Sequence, residues 1–439
     1  MVSVVEGSYW LAKLTRAVPP SLTGPLLPKD AVGATFSHWA VTRCVDASLL
    51  SRFPIFRAAL LECAAHLCAH GADWSLLEQL TAPDGSSRLR ETAVCQAAIF
   101  ACQVALAAQW RAWGIAPSAV IGHSLGEVAA AHVAGAITLE QAVGIVMQRG
   151  RITGQAAGKG AMALVGLSEA AATAAIRDYA PALAVAVCNS PTNCVLSGEP
   201  AALAEVLDQL QRRDVFARRL PAIDYAAHSP QMEPLKHELA LALSGLTPQR
   251  AAIPFYSTVT TTTIDGAELH ARYWADNLRA PVRFEQTLRR ALDDGQRVFL
   301  EVHPTQVLQR PMQEVLAHAG LEGVVYPSLQ RDADGPVALL RTLGNLYGHG
   351  YPIAWEGVYP AGGRHVALPP MAWQKRRYWL PTAGRPGGPR LGALPSAPGR
   401  HPLLGCHVRS AAQPDTYIVE TELRLDALPY LRDHRVYGA

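Results

Sequence analysis

The chain has 439 residues, of which 49% are hydrophobic and 17% charged, a balance that is typical of folded globular proteins and excludes a disordered chain. The formal net charge is +3 and no basic patch is interleaved with aromatic residues, so we expect no nucleic-acid partner. The first residues lack the pattern of a signal peptide, and no apolar run approaches the length of a membrane span. We therefore expect a cytoplasmic protein without a membrane contact.

The eight cysteines show neither a CxxC pair nor the spacing of metal ligands. Most of them lie among apolar residues, which is typical of small buried thiols in a reducing compartment. We therefore expect free thiols and no metal site.

The N-terminal part of the chain divides into a linker and a helical region. Residues 1–35 contain four prolines and little periodicity, which predicts a linker. From about Phe53 to Gly158 the pattern is mostly helical and is interrupted by one strand at 118–122. Within this region Thr138 and Gln141 have the spacing of a capping box, which predicts that a helix begins there.

Residues 160–221 have a different pattern. They predict a strand, a helix, two strands around a Ser-Pro-Thr-Asn turn, a second helix and a last strand. This β-α-β-β-α-β order is that of a ferredoxin-like subdomain inserted in the larger domain. The larger domain is expected to resume near residue 228, with strands at 253–258 and 297–302.

After about residue 330 the periodic signal weakens. Residues 331–400 predict a linker, which includes a strap-like segment, "LPPMAWQKRRYWLP", and a Pro/Gly-rich flexible stretch at 381–400. Residues 401–439 are too few for an independent domain, and we interpret them as the start of one.

A G-x-S-x-G pattern follows the strand predicted at 118–122. Ser124 lies between Gly122 and Gly126, and the residues after it are helical, which is the context of a nucleophile elbow. Such a turn presents the hydroxyl at a helix N-terminus, where backbone amides favour a developing oxyanion. A chance match in a glycine-containing loop is the alternative.

A reactive serine needs a base, and histidine is the expected one. His228 follows the inserted subdomain and precedes a helical run, so it is expected at the seam between the two units, where active sites often lie. His303, at a strand end, is its rival. His132 falls inside the helix after the elbow and is expected to be packed in the core.

Arg149 lies at the edge of the buried stripe of the helix that the capping box begins. A guanidinium directed inward needs an anionic partner, because its burial without one is costly. Two interpretations stay open: a pair with an internal Asp or Glu, and a bidentate clamp for a substrate carboxylate.

Taken together, these residues resemble the malonyl-CoA:acyl carrier protein transacylases, specifically the acyltransferase domains of modular type I polyketide synthases. The resemblance covers roughly residues 50–380 and rests on several motifs in family order. These are "FPIFRAALLEC", "GHSLGEVAAAHVAGAITLEQAV", "QRGR", "YAAHSPQM", "YWADNLRAPVRF", "LEVHPTQVL" and "MAWQKRRYWLP". It implies an α/β-hydrolase-like core with a parallel sheet and the inserted ferredoxin-like subdomain, with the acyltransferase domain at 36–330.

The resemblance also implies roles for single residues. Ser124 matches the nucleophile, His228 the general base, and Arg149 the residue that binds the free carboxylate of a malonyl-type group. Asn277 matches the position that orients the histidine through its backbone carbonyl, and the Leu125 amide matches one oxyanion donor.

The remaining substrate contacts and the partners follow from the same resemblance. We expect His123, Leu125 and Tyr225 beside the substrate. Acyl-CoA would be the donor, with no bound cofactor, and the acceptor would be the phosphopantetheine thiol of an acyl carrier protein. Neighbouring ketosynthase and dehydratase domains of the same synthase are further expected partners.

The chain departs from the family before the "FPIF" segment. The family has a Gly-Gln-Gly-x-Gln turn there that supplies a second oxyanion donor, whereas residues 34–53 contain no glutamine. Losing one such donor typically costs ~10²–10³ in rate. Three explanations stay open: another group substitutes, the domain is impaired, or these residues do not represent the functional sequence, as after a frameshift.

The extender unit and the C-terminal tail are interpreted from short motifs. "YAAH" at 225–228 resembles methylmalonyl users and Leu125 resembles malonyl users, so methylmalonyl is only slightly favoured. The tail resembles the start of a dehydratase, in which His434 and Gly438 begin a His-x-x-x-Gly motif without the catalytic aspartate.

Two alternative functions remain. An esterase or thioesterase on the same core predicts an acidic triad member between Ser124 and His228, for which Asp224 is the candidate. A catalytically dead scaffold fragment is the second alternative, and the missing glutamine turn favours it.

Overall fold

The computed structural model describes two compact units, residues 1–364 and 365–439. The described residues are 45–367, with gaps at 46, 84–85, 222, 332 and 365, and the segments 32–36, 406–409, 417–420, 426 and 429–432. The strap-like segment, the flexible stretch at 381–400 and the His434 motif lie outside the described residues.

A six-stranded sheet forms the centre of the first unit. Its strands are β1 (Val32–Phe36), β2 (Ala119–Gly122), β7 (Phe255–Tyr256), β8 (Thr263–Ile264), β9 (Val298–Glu301) and β10 (Val324–Pro327). They lie in the order β10-β9-β1-β2-β7-β8. All neighbouring pairs are parallel except β7 and β8, so five strands send their carboxyl ends to one edge. In such sheets that edge is where ligands bind.

The helices of the first unit pack around this sheet or belong to the inserted subdomain. In chain order they are α1 (Ala47–Arg52), α2 (Pro54–Ala69), α3 (Leu76–Thr81), α4 (Thr92–Ala112), α5 (Gly126–Val133), α6 (Leu139–Gly154), α7 (Glu169–Ala175), α8 (Pro200–Gln211), α9 (Glu233–Ala242), α10 (Ala271–Arg279), α11 (Phe284–Asp293), α12 (Gln309–Ala319), α13 (Gly335–Gly348) and α14 (Trp355–Val358). The predicted capping box is confirmed, because the Thr138 hydroxyl accepts from the Gln141 amide and the Gln141 side chain accepts from the Thr138 amide.

Helix α4 corrects one sequence expectation. It has 21 residues, and its most apolar 18-residue window has a mean hydropathy of 1.4, so by length and composition it could span a membrane. The sequence pattern hides this because three glutamines, Gln96, Gln103 and Gln109, interrupt the apolar run. Within the described part of the chain, 78% of its most apolar window is buried, and it packs as the core helix of the unit.

The inserted subdomain is confirmed. Its strands are β3 (Ala161–Val165), β4 (Leu183–Ser190), β5 (Asn193–Gly198) and β6 (Ala217–Arg219), with α7 and α8 in the connections. The strand order β4-β5-β3-β6 and the antiparallel pairing are those of a ferredoxin-like sheet. The subdomain is tied to the main body beside β4, where the Cys188 amide donates to the Val282 carbonyl and the Val282 amide to the Ala186 carbonyl.

The first strand differs from the sequence expectation. The sequence predicts a linker up to residue 35, yet β1 pairs with both β2 and β9 in the middle of the sheet. A five-residue strand with a central Gly-Ala, just after a proline-containing stretch, gives too short an apolar run to be recognised locally. β8 and β10 also lack a signal in the sequence, since they contain only two and four residues.

The described part of the second unit is small. β11 (Cys406–Arg409) and β12 (Tyr417–Glu420) form an antiparallel hairpin, and a 3₁₀ turn follows at Pro429–Arg432. The domain boundaries predicted at 330 and 400 stay predictions.

Candidate active site

Ser124 lies in the sharp turn between β2 and α5. Its backbone has φ +56°, a left-handed conformation that is rare for a residue with a side chain. The turn is tight because a Cβ on Gly122 would lie 2.2 Å from the Glu127 Cα, a distance that no side chain can occupy. The turn therefore has the geometry of a nucleophile elbow, with the hydroxyl at the carboxyl edge of the sheet.

His228 reaches this hydroxyl from the segment after the inserted subdomain. Its Nε2 lies 2.8 Å from Ser124 Oγ, and its Nδ1 lies 2.8 Å from the carbonyl oxygen of Ala280. A carbonyl can only accept, so Nδ1 holds the proton and Nε2 accepts from the Ser124 hydroxyl. Burial, followed by the charge of Arg149, lowers the pKa of His228 to about 3, which keeps the imidazole neutral at physiological pH.

Arg149 approaches the same hydroxyl from α6. It is 3% exposed, its Nη2 donates to Ser124 Oγ at 3.0 Å, and its Nη1 donates to Asn277 Oδ1. Its Nε is buried without a hydrogen-bond partner among the described residues. No carboxylate in the described ranges forms a salt bridge with Arg149. Burial lowers its pKa from 12.5 to about 10, so it still holds its charge at neutral pH.

Asn277 does not act as predicted. His228 Nδ1 donates to the carbonyl of Ala280, not to that of Asn277. Helix α10 ends at Arg279, so the carbonyl that is free of the helix belongs to the residue just after that end. The Asn277 side chain instead points into the site, where it contacts Arg149 and donates to the Ser124 carbonyl at 3.3 Å.

The three other predicted substrate residues lie around the elbow and are buried. His123 Nε2 is 2.9 Å from Asn189 Oδ1 on β4, and burial lowers its pKa to about 4. The Tyr225 hydroxyl accepts from Gln96 at 3.4 Å, and burial raises the pKa of Tyr225, a rise that the nearby charge of Arg149 opposes. Leu125 is the first residue after the serine, at the N-terminus of α5.

The rival residues lie elsewhere. His303 Nδ1 is engaged with Thr305 at 2.9–3.2 Å, and His132 Nδ1 is 3.3 Å from the Ile137 carbonyl. Asp224, the candidate acid of a hydrolase triad, accepts from the Gly158 amide at 3.1 Å. None of the three contacts Ser124 or His228 in the described ranges. Residues 37–44, which are part of the segment 34–53 where the glutamine turn is missing, are not described.

Two members of the site are not predicted from the sequence. Glu127 reads as an ordinary helix residue, yet it is fully buried and bonded to Asn277. A single acid in the apolar helix "GEVAAAHVAG", three residues after the serine, is the available signal. The Ala280 carbonyl has no sequence signal, because it belongs to the backbone.

The known proteins that resemble this chain belong to one family. The model described as "Acyl transferase domain" matches residues 42–350. Polyketide synthase GfsB of Streptomyces halstedii is 40% identical over 392 residues, 89% of this chain and 7% of that protein. Erythronolide synthase EryA2 of Saccharopolyspora erythraea is 39% identical over 349 residues, 79% of this chain and 10% of that protein. The chain thus spans a small part of the length of these relatives.

Solved structures agree with this result. The acyltransferase domain from module 8 of the salinomycin polyketide synthase is 38% identical, with a TM-score of 0.73 over 80% of this chain and 83% of that one. A loading acyltransferase from the avermectin modular polyketide synthase is 33% identical, with a TM-score of 0.69 over 72% of this chain and 100% of that one. The fold and the sequence therefore point to the same family.

Proposed function

The chain belongs to the acyl transferase domains of polyketide synthases, and from that premise we propose that it transfers a malonyl-type group from coenzyme A to an acyl carrier protein. The group would travel as an ester of Ser124 and end on the phosphopantetheine thiol of the carrier. One observation supports this most strongly: the Ser124 hydroxyl contacts both a neutral imidazole at 2.8 Å and a buried guanidinium at 3.0 Å.

In the first half-reaction, Ser124 Oγ attacks the thioester carbonyl of the acyl-CoA. His228 Nε2 takes the hydroxyl proton, and the Ala280 carbonyl stabilises the imidazolium that forms. The C–S bond then breaks and the proton passes to the departing CoA sulfur. The Leu125 amide, at the N-terminus of α5, would stabilise the oxyanion.

In the second half-reaction, the carrier thiol repeats these steps in reverse. His228 takes the thiol proton, the sulfur attacks the Ser124 ester, and the proton returns to Ser124 Oγ as the C–O bond breaks. No resident cofactor is needed in either step. Since water would compete with the thiol, the burial of Ser124 and His228 favours transfer over hydrolysis.

The position of Arg149 fits a short dicarboxylic unit. In a malonyl group a single carbon separates the thioester carbonyl from the free carboxylate, so the cation must lie within a few ångströms of the nucleophile. Arg149 meets this requirement, and no carboxylate of the described residues neutralises it by contact. A substrate carboxylate would supply the missing anion and a partner for Nε.

The esterase alternative requires an acidic residue that orients His228. His228 is oriented by a backbone carbonyl, and Asp224 is engaged with Gly158. A buried arginine on the nucleophile also has no role in the hydrolysis of neutral esters. The scaffold alternative is weaker for the same reason, because a dead fragment does not need the contacts among Ser124, His228 and Arg149.

The finer assignments are part of the same proposal. The "YAAH" motif at 225–228 resembles methylmalonyl users and Leu125 resembles malonyl users, so methylmalonyl is slightly favoured over malonyl. Residues 401–439 would begin a dehydratase domain of the same synthase, in which His434 starts an incomplete motif. Neighbouring ketosynthase and carrier domains would be its partners in the cytoplasm.

The test is incubation with radiolabelled malonyl-CoA and methylmalonyl-CoA, followed by gel detection of covalent label. We expect label on Ser124 with both thioesters and none in Ser124→Ala. Addition of a phosphopantetheinylated carrier protein should move the label to the carrier. A wild-type protein that stays unlabelled with both thioesters contradicts the transferase and favours the scaffold.

A further inference from the structure

A carboxylate is buried beneath the elbow and is saturated with donors. Glu127 has no exposed surface. Its Oε1 accepts from the Thr258 amide at 2.6 Å and from the Thr258 hydroxyl at 2.7 Å. Its Oε2 accepts from the Tyr273 hydroxyl at 2.6 Å and from Asn277 Nδ2 at 2.7 Å. Four donors fix the position of this group, although burial outweighs them and still raises the pKa of Glu127.

The carboxylate determines which way the Asn277 amide points. A carboxylate can only accept, so it must face Nδ2, and Oδ1 is then directed to the opposite side. There Oδ1 accepts from Arg149 Nη1, while Nδ2 also lies 3.3 Å from the Ser124 carbonyl. The amide therefore connects the carboxylate to the guanidinium.

An amide between the two charges has a consequence that a direct ion pair lacks. A carboxylate in contact with Arg149 would occupy the edge of the guanidinium that a substrate needs. Asn277 instead holds Nη1 with a neutral oxygen, which leaves the charge on Nη2 and Nε to the substrate side. Nη2 meets Ser124 Oγ, and Nε is buried without a partner among the described residues.

We propose that Glu127 is a positioning residue for substrate selection: it fixes the Asn277 amide, which in turn holds Arg149 beside Ser124 to receive the free carboxylate of the acyl group. This rests on the proposed function, in which Arg149 selects carboxylated acyl groups. Glu127 itself touches neither the reacting atoms nor the substrate.

The substitution Glu127→Gln tests this without a change of shape. The Thr258 amide must still meet an oxygen, so the new NH₂ would face Asn277 and Tyr273. Tyr273 can turn its proton to Ser257 Oγ, which lies 2.7 Å away, and accept instead. Asn277 can avoid two facing donors only by flipping, and its NH₂ would then face Arg149 and displace the guanidinium.

The first measurement is the rate of Ser124 acylation by malonyl-CoA and by acetyl-CoA, which lacks the free carboxylate. We expect Glu127→Gln to lower the malonyl-to-acetyl ratio about tenfold or more, because a buried hydrogen bond to a charged group is lost. The acetyl rate should change less than about threefold. An unchanged ratio in the folded variant overturns the proposal.

A double variant separates the position of Arg149 from its charge. In Glu127→Gln, Asn277→Asp the carboxylate and the amide trade places across one hydrogen bond, and the relocated carboxylate can accept both from the relocated amide and from Arg149. We expect Arg149 to keep its contact with Ser124, but the malonyl-to-acetyl ratio to stay low, because a carboxylate now pairs with the guanidinium that the substrate needs. A double variant with the wild-type ratio contradicts the role of the neutral amide.

Glu301→Gln is the matched control. Glu301 is also fully buried and accepts from the amides of Val307, Leu308 and Gln309, but it has no contact with Asn277 or Arg149. It should keep the wild-type ratio. An equal loss in this control would mean that any buried carboxylate has this effect, which also overturns the proposal.

A crystal structure of Glu127→Gln separates this proposal from the proposed function. We expect a flipped Asn277 and an Arg149 Nη2 more than about 1 Å farther from Ser124 Oγ than the present 3.0 Å. This result does not depend on acyl transfer, so a protein that transfers nothing still decides it. If Glu127→Gln does not fold, Asn277→Ser removes the same link and must give the same selective loss. An Arg149 that keeps its contact in either variant refutes the relay.

Discussion

Ser124 and His228 meet from two segments that both have a left-handed backbone, with φ +56° and +57°. Such a conformation costs roughly 1–2 kcal/mol for a residue with a Cβ. The surrounding fold maintains this conformation, because the turn is tight enough to bring Gly122 against the backbone of Glu127. Strain of this kind commonly occurs where a side chain must be presented to a substrate.

The strain at the serine predicts a difference between two inactive variants. Ser124→Gly and Ser124→Ala both remove the hydroxyl and its contacts, but only glycine relieves the left-handed backbone. We expect Ser124→Gly to be more stable than Ser124→Ala by roughly 1 kcal/mol, measured by urea unfolding. Equal unfolding free energies would mean that the turn is not strained.

Arg149 gives a second prediction at this scale. Arg149→Ala should lower the rate of Ser124 acylation by malonyl-CoA about a hundredfold, because a charge-assisted bidentate contact is lost. The rate with acetyl-CoA should change far less. Arg151→Ala is the matched control, since Arg151 lies on the exposed face of the same helix and pairs with Glu238. A parallel loss with both thioesters would exclude a role in carboxylate selection.

The sequence predicts some residues of the site and not others, for a physical reason. Ser124 and Arg149 have signals within one turn or one helix: a glycine-flanked serine after a strand, and a cation at the edge of an apolar stripe. The role of Glu127 depends on its hydrogen bonds with Thr258, Tyr273 and Asn277. These residues are more than 100 positions away along the chain. A hydrogen-bond network assembled by tertiary folding leaves almost no local pattern.

At the scale of elements, the position of Arg149 depends on how closely α6 approaches α4. Gly150 is the contact point, because a Cβ there would lie 2.9 Å from the Ala93 Cα and 3.2 Å from the Ala93 Cβ. A side chain at this point must push the two helices apart. Arg149 is the preceding residue, so the same displacement would move its guanidinium.

The helix contact predicts opposite results for two glycines of α6. Gly150→Ala should destabilise the protein by about 1–3 kcal/mol through overpacking and lower malonyl acylation. Gly154→Ala, where no atom lies within 4 Å of the new Cβ, should be neutral or stabilise by up to about 1 kcal/mol. Thermal unfolding and Ser124 labelling measure the two effects. Equal destabilisation by both substitutions would contradict the close contact.

The same scale shows where sequence patterns succeed. β2, the capped helix α6 and the subdomain of β3 to β6 are predictable because each has its own period, cap or turn. β1 is not, because its place in the sheet is determined by pairing with β2 and β9, both distant in sequence. Strands buried in a parallel sheet are defined by their neighbours as much as by their own residues.

At the scale of the whole molecule, two kinds of buried group change the free energy of unfolding in opposite directions as the pH falls. Buried histidines lower it and a buried glutamate raises it. Burial lowers the pKa of His123 to about 4 and of His228 to about 3, from 6.5. Below pH 6.5 both histidines are protonated in the unfolded chain but stay neutral in the folded protein, so acidification favours unfolding. Burial raises the pKa of Glu301 to about 7, from 4.5. Between pH 7 and 4.5 folded Glu301 keeps a proton that the unfolded chain has lost, so acidification favours folding.

A comparison with Glu301→Gln isolates the contribution of Glu301, because the histidines are the same in both proteins. In Glu301→Gln the stabilising contribution of Glu301 at low pH is gone, and the side-chain oxygen can still accept from backbone amides. As the pH falls from 7 to 5, we expect wild type to gain roughly 2 kcal/mol of stability over the variant in total. Above about pH 8 the difference should be constant. Urea unfolding of both proteins at about pH 5, 6, 7 and 8 measures it, and parallel curves would show that Glu301 titrates alike in the folded and unfolded states.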